Sequence, residues 1–119
     1  MGACTVTIDT DGRSPVDASN AGYMIRAKVS PSTSYATGGD TISGSLFGIG
    51  TITKILFTGT SGAGATTGYE ASGVYDSTGV NVTKVQVFAT GSGNQQPFAE
   101  VAGATNLSAQ VFDAIVWGT

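Results

Sequence analysis

The 119-residue chain has no histidine, a single cysteine and few charged side chains, five basic and eight acidic. Proton transfer near neutral pH, metal ligation and nucleophilic catalysis rely mostly on His, Cys or clustered carboxylates. These residue types are absent here or scattered along the sequence. We therefore predict that the protein is not an enzyme and that it has no catalytic residues, no metal site and no cofactor.

The lone cysteine, Cys4, excludes an intramolecular disulfide and gives no indication of an oxidising compartment. We expect Cys4 to be either a small buried hydrophobe or an unpacked terminal residue. The first residues lack the basic and apolar regions of a secretory signal, so we expect no secretion. No apolar run approaches the roughly 20 residues that a membrane-spanning helix needs, so we predict no membrane association.

The chain is poor in charge of both signs, and its basic residues are spread out, at Arg13, Arg26, Lys28, Lys54 and Lys84. They cannot form the dense patch that binds phosphates, and the net charge is −3, so we predict no nucleic-acid partner. Charged residues make up 11% of the chain, against about 25% in a typical domain. Much of the surface must therefore be small, polar or mildly apolar, which is tolerable where other subunits cover it.

The chain is rich in short apolar segments that alternate with polar residues at the period of a β-strand. These segments predict strands over residues 5–10, 22–29, 51–58, 69–75, 84–89 and 109–117. No segment shows helical spacing over ten residues, and Gly-rich turns separate the strands. We predict one all-β domain over residues 1–119, a small β-sandwich or jelly-roll-like barrel of about seven short strands.

Several local patterns give finer expectations. Residues 30–44 predict a long loop or an extended arm, with room for a short edge strand, and residues 98–101 a helical turn or a short strand. Residues 55–57 are apolar on both faces, which favours a position in the middle of a sheet. The apolar pattern switches face near Thr83, which indicates either a β-bulge or a longer loop.

Three motifs that are typical of chemistry have simpler interpretations here. Residues 59–66 match the glycine spacing of a phosphate-binding loop, but Ala65 stands where that loop has its lysine and no helix start follows. Residues 76–79 resemble the Asp-Ser/Thr-Gly of aspartic proteases with one residue inserted, so we expect a hairpin turn. Glu70 and Glu100 could meet as a glycosidase pair, but a small domain with few polar anchors makes a poor sugar cleft.

The second half of the chain carries a distinctive series of strand segments. The series comprises a strand beginning near Leu46-Phe47-Gly48, Ile55-Leu56-Phe57, residues 68–76, residues 84–89, a turn at Gly91, Glu100-Val101, and Leu107-Ser108-Ala109 with its closing strand. Over residues 39–119 this series resembles small tailed-phage head proteins, the capsid decoration proteins, also called cement or head-stabilisation proteins. The loop at residues 59–68 and the turn at 76–83 look longer than in that family, which would alter which neighbour they touch.

The resemblance implies a structural virion protein, a β-sandwich homodimer or homotrimer bound to the outside of an icosahedral head. Its partners would be the major capsid protein and further copies of itself, and its location the outer capsid surface after synthesis in the host cytoplasm. The family has no catalytic residues to carry over. We expect residues 1–38 to include an arm that contacts the capsid or a neighbouring subunit. The candidate contact residues are Arg13, Tyr23, Arg26, Lys28 and Tyr35.

The alternative is a carbohydrate- or receptor-binding β-sandwich module of a fibre or adhesin. Aromatic side chains clustered on one exposed face would favour sugar stacking, whereas burial of the same side chains would argue against it. The aromatic residues in question are Tyr23, Tyr35, Tyr69, Tyr75 and Trp117.

Overall fold

The computed structural model describes residues 2–9, 16–17, 22–62, 68–90 and 98–119. These residues contain nine strands, β1 (Thr5–Ile8), β2 (Val16–Asp17), β3 (Tyr23–Ser30), β4 (Asp40–Thr41), β5 (Ile52–Gly62), β6 (Tyr69–Tyr75), β7 (Val82–Thr90), β8 (Phe98–Glu100) and β9 (Gln110–Gly118). A short 3-10 helix, Gly44–Phe47, lies between β4 and β5. In the described part of the chain no helix is long and apolar enough to span a membrane. The predicted all-β fold class is confirmed.

The strands form two antiparallel sheets. A five-stranded sheet has the order β1-β3-β9-β5, with β2 also paired to β3, and a four-stranded sheet has the order β4-β7-β6, with β8 also paired to β7. A parallel bridge between Ala3 and Thr41 joins the sheets beside β1 and β4. There the Cys4 N–H donates to the Thr41 carbonyl at 2.9 Å, and the Thr41 N–H donates to the Gly2 carbonyl at 3.1 Å. The sheets are thus joined on one side, and β5 and β6 are end strands on the other.

The larger core cluster is made mainly of aliphatic side chains from both sheets. Its buried members are Cys4, Ile25, Ala27, Val29, Ile42, Phe47, Ile52, Val82, Val85, Ala114 and Val116. The alternation along β3 places Ile25, Ala27 and Val29 in this core, as predicted. Cys4 is buried, so its interpretation as a small buried hydrophobe is confirmed. Burial, with the nearby charge of Asp40, raises the pKa of the Cys4 thiol to about 12.

A second, smaller core cluster consists of Tyr35, Val87, Val101, Leu107 and Phe112. The loop over residues 31–39 contributes Tyr35 to it and is held by the fully buried carboxylate of Asp40. Asp40 accepts the Ser32 N–H at Oδ2, at 2.7 Å, and the Ala36 N–H at Oδ1, at 2.9 Å. The segment 30–44 is therefore a loop packed on the body of the domain, and it includes the short strand β4.

Three finer expectations are confirmed. The β6–β7 register passes from Val74 opposite Lys84 to Tyr75 opposite Val82, which leaves Thr83 as the extra residue of a β-bulge. The 76–79 segment is a hairpin turn, in which the Asp76 carboxylate accepts the Thr78 N–H at 3.1 Å. Residues 98–100 form the short strand β8 rather than a helical turn.

Two expectations are wrong. Residues 55–57 do not lie in mid-sheet, because β5 is the end strand of its sheet and Leu56 is 52% exposed. The second apolar face of β5 therefore points to solvent rather than to another layer. The strand expected to begin near Leu46 is instead the 3-10 helix Gly44–Phe47. Gly48 ends this helix with a φ of 76°, a left-handed conformation that glycine adopts without steric cost.

Candidate docking face

The outer surface of the five-stranded sheet is built by strict alternation along its two central strands. On β3 the buried positions leave Met24, Arg26 and Lys28 on the outside, and the two cationic side chains are exposed. On β9 the burial of Phe112, Ala114 and Val116 leaves the alternate positions outside. Those positions are half-buried, and they carry Asp113, Ile115 and Trp117.

The register between strands aligns these side chains into rows across the sheet. Ile115 is opposite Arg26 on one side and opposite Leu56 on the other, and Trp117 is opposite both Met24 and Lys54. Cross-strand partners share a face and have Cβ atoms about 5 Å apart, so the rows are continuous. We call this surface the docking face, and its members are Met24, Arg26, Lys28, Lys54, Leu56, Asp113, Ile115 and Trp117.

The docking face is positively charged although the whole chain has a net charge of −3. Its three cationic side chains accompany the carboxylate of Asp113, and that of Asp9 lies beside them just past the end of β1, where the Asp9 N–H donates to the Arg26 carbonyl. Lys28 Nζ donates to Asp113 Oδ1 at 2.6 Å, with side chains 47% and 40% exposed. The hydrogen bond to Asp113, with the charges of Asp113 and Asp9, raises the pKa of Lys28 above its ordinary value. Lys28 is thus charged at neutral pH, and its charge is balanced locally by Asp113.

The centre of the docking face is apolar. Leu56 is 52% exposed, while Ile115, Trp117 and Met24 are half-buried. The solvated face of an antiparallel sheet normally carries polar residues, so this pattern needs a reason. An apolar centre with a charged rim is the usual composition of a protein–protein interface. The docking face is therefore suited to binding another protein surface.

The predicted contact residues lie in different parts of the structure. Arg26 and Lys28 are on the docking face, and Tyr23 is 46% exposed at the start of β3, opposite Gly118. Tyr35 is 1% exposed, so it offers almost no area to a partner of the folded domain. Arg13 lies outside the described residues. Sequence reasoning missed Leu56 and the β9 residues, although Ile115 and Trp117 had been expected on the face of the last strand that also carries Asp113.

Tyr35 is a hydrogen-bonding group of the interior. Its hydroxyl donates to Glu100 Oε1 at 2.9 Å and accepts the Val87 N–H at 2.9 Å. Desolvation, together with the hydrogen bond to Glu100, raises the pKa of Tyr35 to about 12, against the opposing effect of the Val87 bond. Glu100 Oε1 also accepts the Gly38 N–H at 2.5 Å. This network ties the 31–39 loop to β7 and β8.

The outer surface of the four-stranded sheet, which we call the opposite face, is acidic. Its members are Glu70, Ser72, Val74, Lys84, Gln86, Phe88 and Glu100. Phe88 is opposite both Glu70 and Glu100, so the two carboxylates flank it two strand spacings, about 10 Å, apart. Desolvation opposes ionisation of Glu100, but hydrogen bonds from Gly38, Tyr35 and Gln86 outweigh it and lower its pKa. A glycosidase acid needs a raised pKa, so the shift is in the wrong direction for that role.

A cleft of about 150 Å³ lies between the end strands β5 and β6. Its walls include Phe57, Phe112 and Tyr69, and the first two rings pack edge to face with centroids 6.0 Å apart. Its one ionisable carboxylate is that of Glu70. Within the described ranges no group of three His, Cys, Asp or Glu side chains is placed to hold a metal ion.

Comparisons with protein-family models, with curated proteins and with solved structures found no match to this chain.

Proposed function

We propose that this chain is a structural virion protein that binds the outside of an icosahedral phage head and stabilises the capsid lattice. The proposal starts from the resemblance of residues 39–119 to capsid decoration proteins, and the all-β fold of two antiparallel sheets agrees with it. The observation that carries it furthest is the docking face. The proposed partners are the major capsid protein and further copies of the chain, in a homodimer or a homotrimer.

The work of such a protein is thermodynamic. A subunit that binds the assembled lattice, and not free capsid subunits, stabilises the lattice by mass action. Icosahedral symmetry repeats each contact over many copies, so a modest affinity at one site has a large summed effect. The apolar centre of the docking face would contribute roughly 25 cal/mol for each Å² of apolar surface that it buries.

The charge of the docking face indicates what the capsid site must offer. Arg26 and Lys54 border the apolar centre formed by Leu56, Ile115 and Trp117, and with Asp9 and Asp113 counted the three cations still leave the face with a net positive charge. Rim charges of one sign speed association with a surface of the other sign and exclude surfaces of the same sign. We expect the capsid site to be an apolar patch bordered by carboxylates, and we expect added salt to slow binding.

The proposal is tested by mixing the purified protein with expanded empty heads of the parent phage and sedimenting the heads. We expect saturable co-sedimentation and a higher disruption temperature for decorated heads. Ile115→Asp places a charge in the apolar centre and should abolish co-sedimentation, whereas Ser72→Asp on the opposite face should not. Failure of the wild-type protein to bind heads, or equal loss in both variants, would contradict the proposal.

The distribution of the aromatic residues disfavours the carbohydrate-binding alternative. Trp117 and Tyr23 belong to the five-stranded sheet, Tyr69 and Tyr75 to the four-stranded sheet, and Tyr35 to the interior. They do not form one exposed stacking platform of the kind that sugar binding requires. Binding to a glycan array, without binding to heads, would establish that alternative instead.

A further inference from the structure

The outer edge of β5 is the longest unpaired strand edge in the described part of the chain. β5 has eleven residues, and its pairing in the described ranges is with β9 alone. Across the sandwich, β6 packs against it without pairing, with Gly73 lying beneath Ile55. Among the described residues, the N–H and C=O groups of this edge have no strand partner, which is the arrangement that a further strand can pair with.

The middle of this edge, residues 54–57, lacks most of the devices that prevent strand pairing. Folded proteins protect open edges with charged side chains, proline, bulges or very short strands. β5 contains no proline, and Lys54 is its one charged residue. Its register against β9 shifts between Ile52 and Lys54 and again between Phe57 and Gly59, so that residues 54–57 remain regular. The regular segment is centred beside Leu56, the most exposed apolar side chain of the five-stranded sheet.

Leu56 is also the last residue of a cross-strand row on the docking face, which runs from Arg26 through Ile115 to Leu56. It lies next to Ile115, and the neighbouring row ends at Lys54 beside Trp117. An isolated exposed leucine would need no explanation. Here the exposed leucine stands where the row meets the open edge, so a strand added at β5 would extend the row.

We propose that β5 pairs antiparallel with β5 of a second copy of the chain, about a twofold axis at Leu56. A twofold contact uses the same surface on both copies, so only one open edge is needed. The pairing joins two five-stranded sheets into one and sets the two Leu56 side chains opposite each other. A second copy of the chain fits this edge, because residues 54–58 paired antiparallel with themselves about Leu56 set apolar side chains opposite apolar ones and bring no two like charges together.

Charge, facing and the contact between the two Leu56 side chains favour this register over its neighbours. About Leu56, each Lys54 lies opposite Thr58, and the core-facing Ile55 lies opposite the core-facing Phe57. A register centred two residues earlier would set the two Lys54 side chains directly opposite each other, and like charges in that position are destabilising. An axis on Ile55 or Phe57 would keep the faces but would set Leu56 opposite Lys54 or Thr58 and lose the Leu56–Leu56 contact. An axis between two residues would set inner side chains opposite outer ones.

The pairing would place the two docking faces side by side on the same surface of the joined sheet. It deepens the proposed function, since it names the interface of the homo-oligomer and chooses the dimer over the trimer. It rests on the proposed self-association and not on capsid binding. Its experiments therefore use the protein without heads, and its failure is distinguishable from failure to bind heads.

The direct test is cross-linking of Leu56→Cys under mild oxidation. Opposed residues of paired strands have Cα atoms about 4.5–5.5 Å apart, within the range that a disulfide spans. Cys4 need not be replaced, because it is buried and unreactive. The matched control is Val80→Cys, since Val80 is 57% exposed in the β6–β7 turn and outside β5. We expect Leu56→Cys to form a disulfide dimer about tenfold or more faster than the control.

The second test is the mass of the protein in solution, measured by light scattering after gel filtration. We expect a dimer for the wild-type chain and for Val80→Lys, and a monomer for Leu56→Lys, in which two cations would meet at the axis. A monomeric or trimeric wild-type protein, or Leu56→Cys that cross-links no faster than Val80→Cys, would overturn the inference.

Discussion

The docking face and the opposite face are the two outer surfaces of one small sandwich. They differ in charge and in how far their side chains are hydrogen-bonded to the rest of the molecule. The docking face has three cationic side chains, the carboxylates of Asp113 and the neighbouring Asp9, and an apolar centre that ends at an open edge. The opposite face has two carboxylates and one lysine, and hydrogen bonds from Tyr35 and Gly38 hold Glu100 in place. Alternation gives each sheet its own outer face. On the opposite face Glu100 is hydrogen-bonded to the chain's own 31–39 loop, whereas the docking face keeps an exposed apolar side chain, Leu56.

The docking face carries the residues that we propose act in binding, and the opposite face carries residues whose hydrogen bonds lie within the molecule. On the docking face Leu56, Ile115 and Trp117 lie on the outer side of the sheet and keep part of their apolar surface exposed to solvent. On the opposite face the polar groups are used within the molecule, by the 31–39 loop. Changes to the docking face should therefore alter head binding at nearly constant stability, and changes to the Tyr35 network should do the reverse.

Among variants that add no charge to the apolar centre, the largest effect is expected for Trp117→Ala. Truncating an aromatic residue at the centre of an interface costs about 2 kcal/mol or more, so affinity for heads should fall roughly 30-fold. The matched control is Phe88→Ala, which removes a half-buried aromatic ring from the opposite face. Affinities are compared by quantitative co-sedimentation at equal concentrations of folded protein. Equal losses in the two variants would remove the distinction between the faces.

Tyr35→Phe tests whether the hydrogen bonds that hold Glu100 of the opposite face act in stability rather than in head binding. The substitution leaves the buried Val87 N–H without its acceptor and Glu100 without one donor. Loss of a buried hydrogen-bond partner costs about 1–3 kcal/mol in the free energy of unfolding. Urea unfolding should show this loss, while head binding of the folded protein stays unchanged. A variant as stable as the wild type would show that the network does not support the loop.

A charge reversal at the rim should have a smaller effect. Lys54→Glu adds a carboxylate beside Trp117 and should slow association with heads roughly three- to tenfold, with a weaker dependence on salt. Lys84→Glu makes the same change on the opposite face and should leave the association rate within about twofold of the wild type. The measurement is the association rate at low and at physiological ionic strength. A larger effect at Lys84 would assign binding to the other sheet.

The smallest effect concerns acid stability. Because the pKa of Glu100 is lower in the folded state than its ordinary value of 4.5, its contribution is present above that pH and is lost as the pH falls through the folded pKa. Glu100→Gln should therefore show a smaller loss of stability below about pH 4.5 than the wild type. Urea unfolding of both proteins from pH 7 to pH 3 measures the difference. Parallel curves would mean that the carboxylate makes no net contribution.

The sequence predicted the parts of the fold that depend on local alternation. The faces of β3 and β9 and the bulge at Thr83 follow from neighbouring residues, and the structure confirms them. Asp113 was an exception to the apolar face of β9, and its partner Lys28, 85 residues away, accounts for it. Such pairing depends on strand order, which the local pattern does not contain.

The two clearest failures have the same origin. A segment with two apolar faces reads as mid-sheet whether its outer face is covered or exposed, so the position of β5 could not be predicted. Tyr35 stood alone in a polar loop, and the residues that bury it, such as Val87 and Phe112, are more than 50 positions away in the sequence. Of the candidate docking face, the sequence identified Arg26 and Lys28, because they alternate with the core residues of β3. The contribution of Leu56 required the register between β5 and β9.

A reconstruction of heads decorated with this protein would show which of its two faces meets the capsid. We expect density for the protein on the outer capsid surface, with Trp117, Ile115 and Leu56 against the major capsid protein and the opposite face toward solvent. Density with the four-stranded sheet against the capsid, or heads that carry no added density at saturating protein, would contradict it.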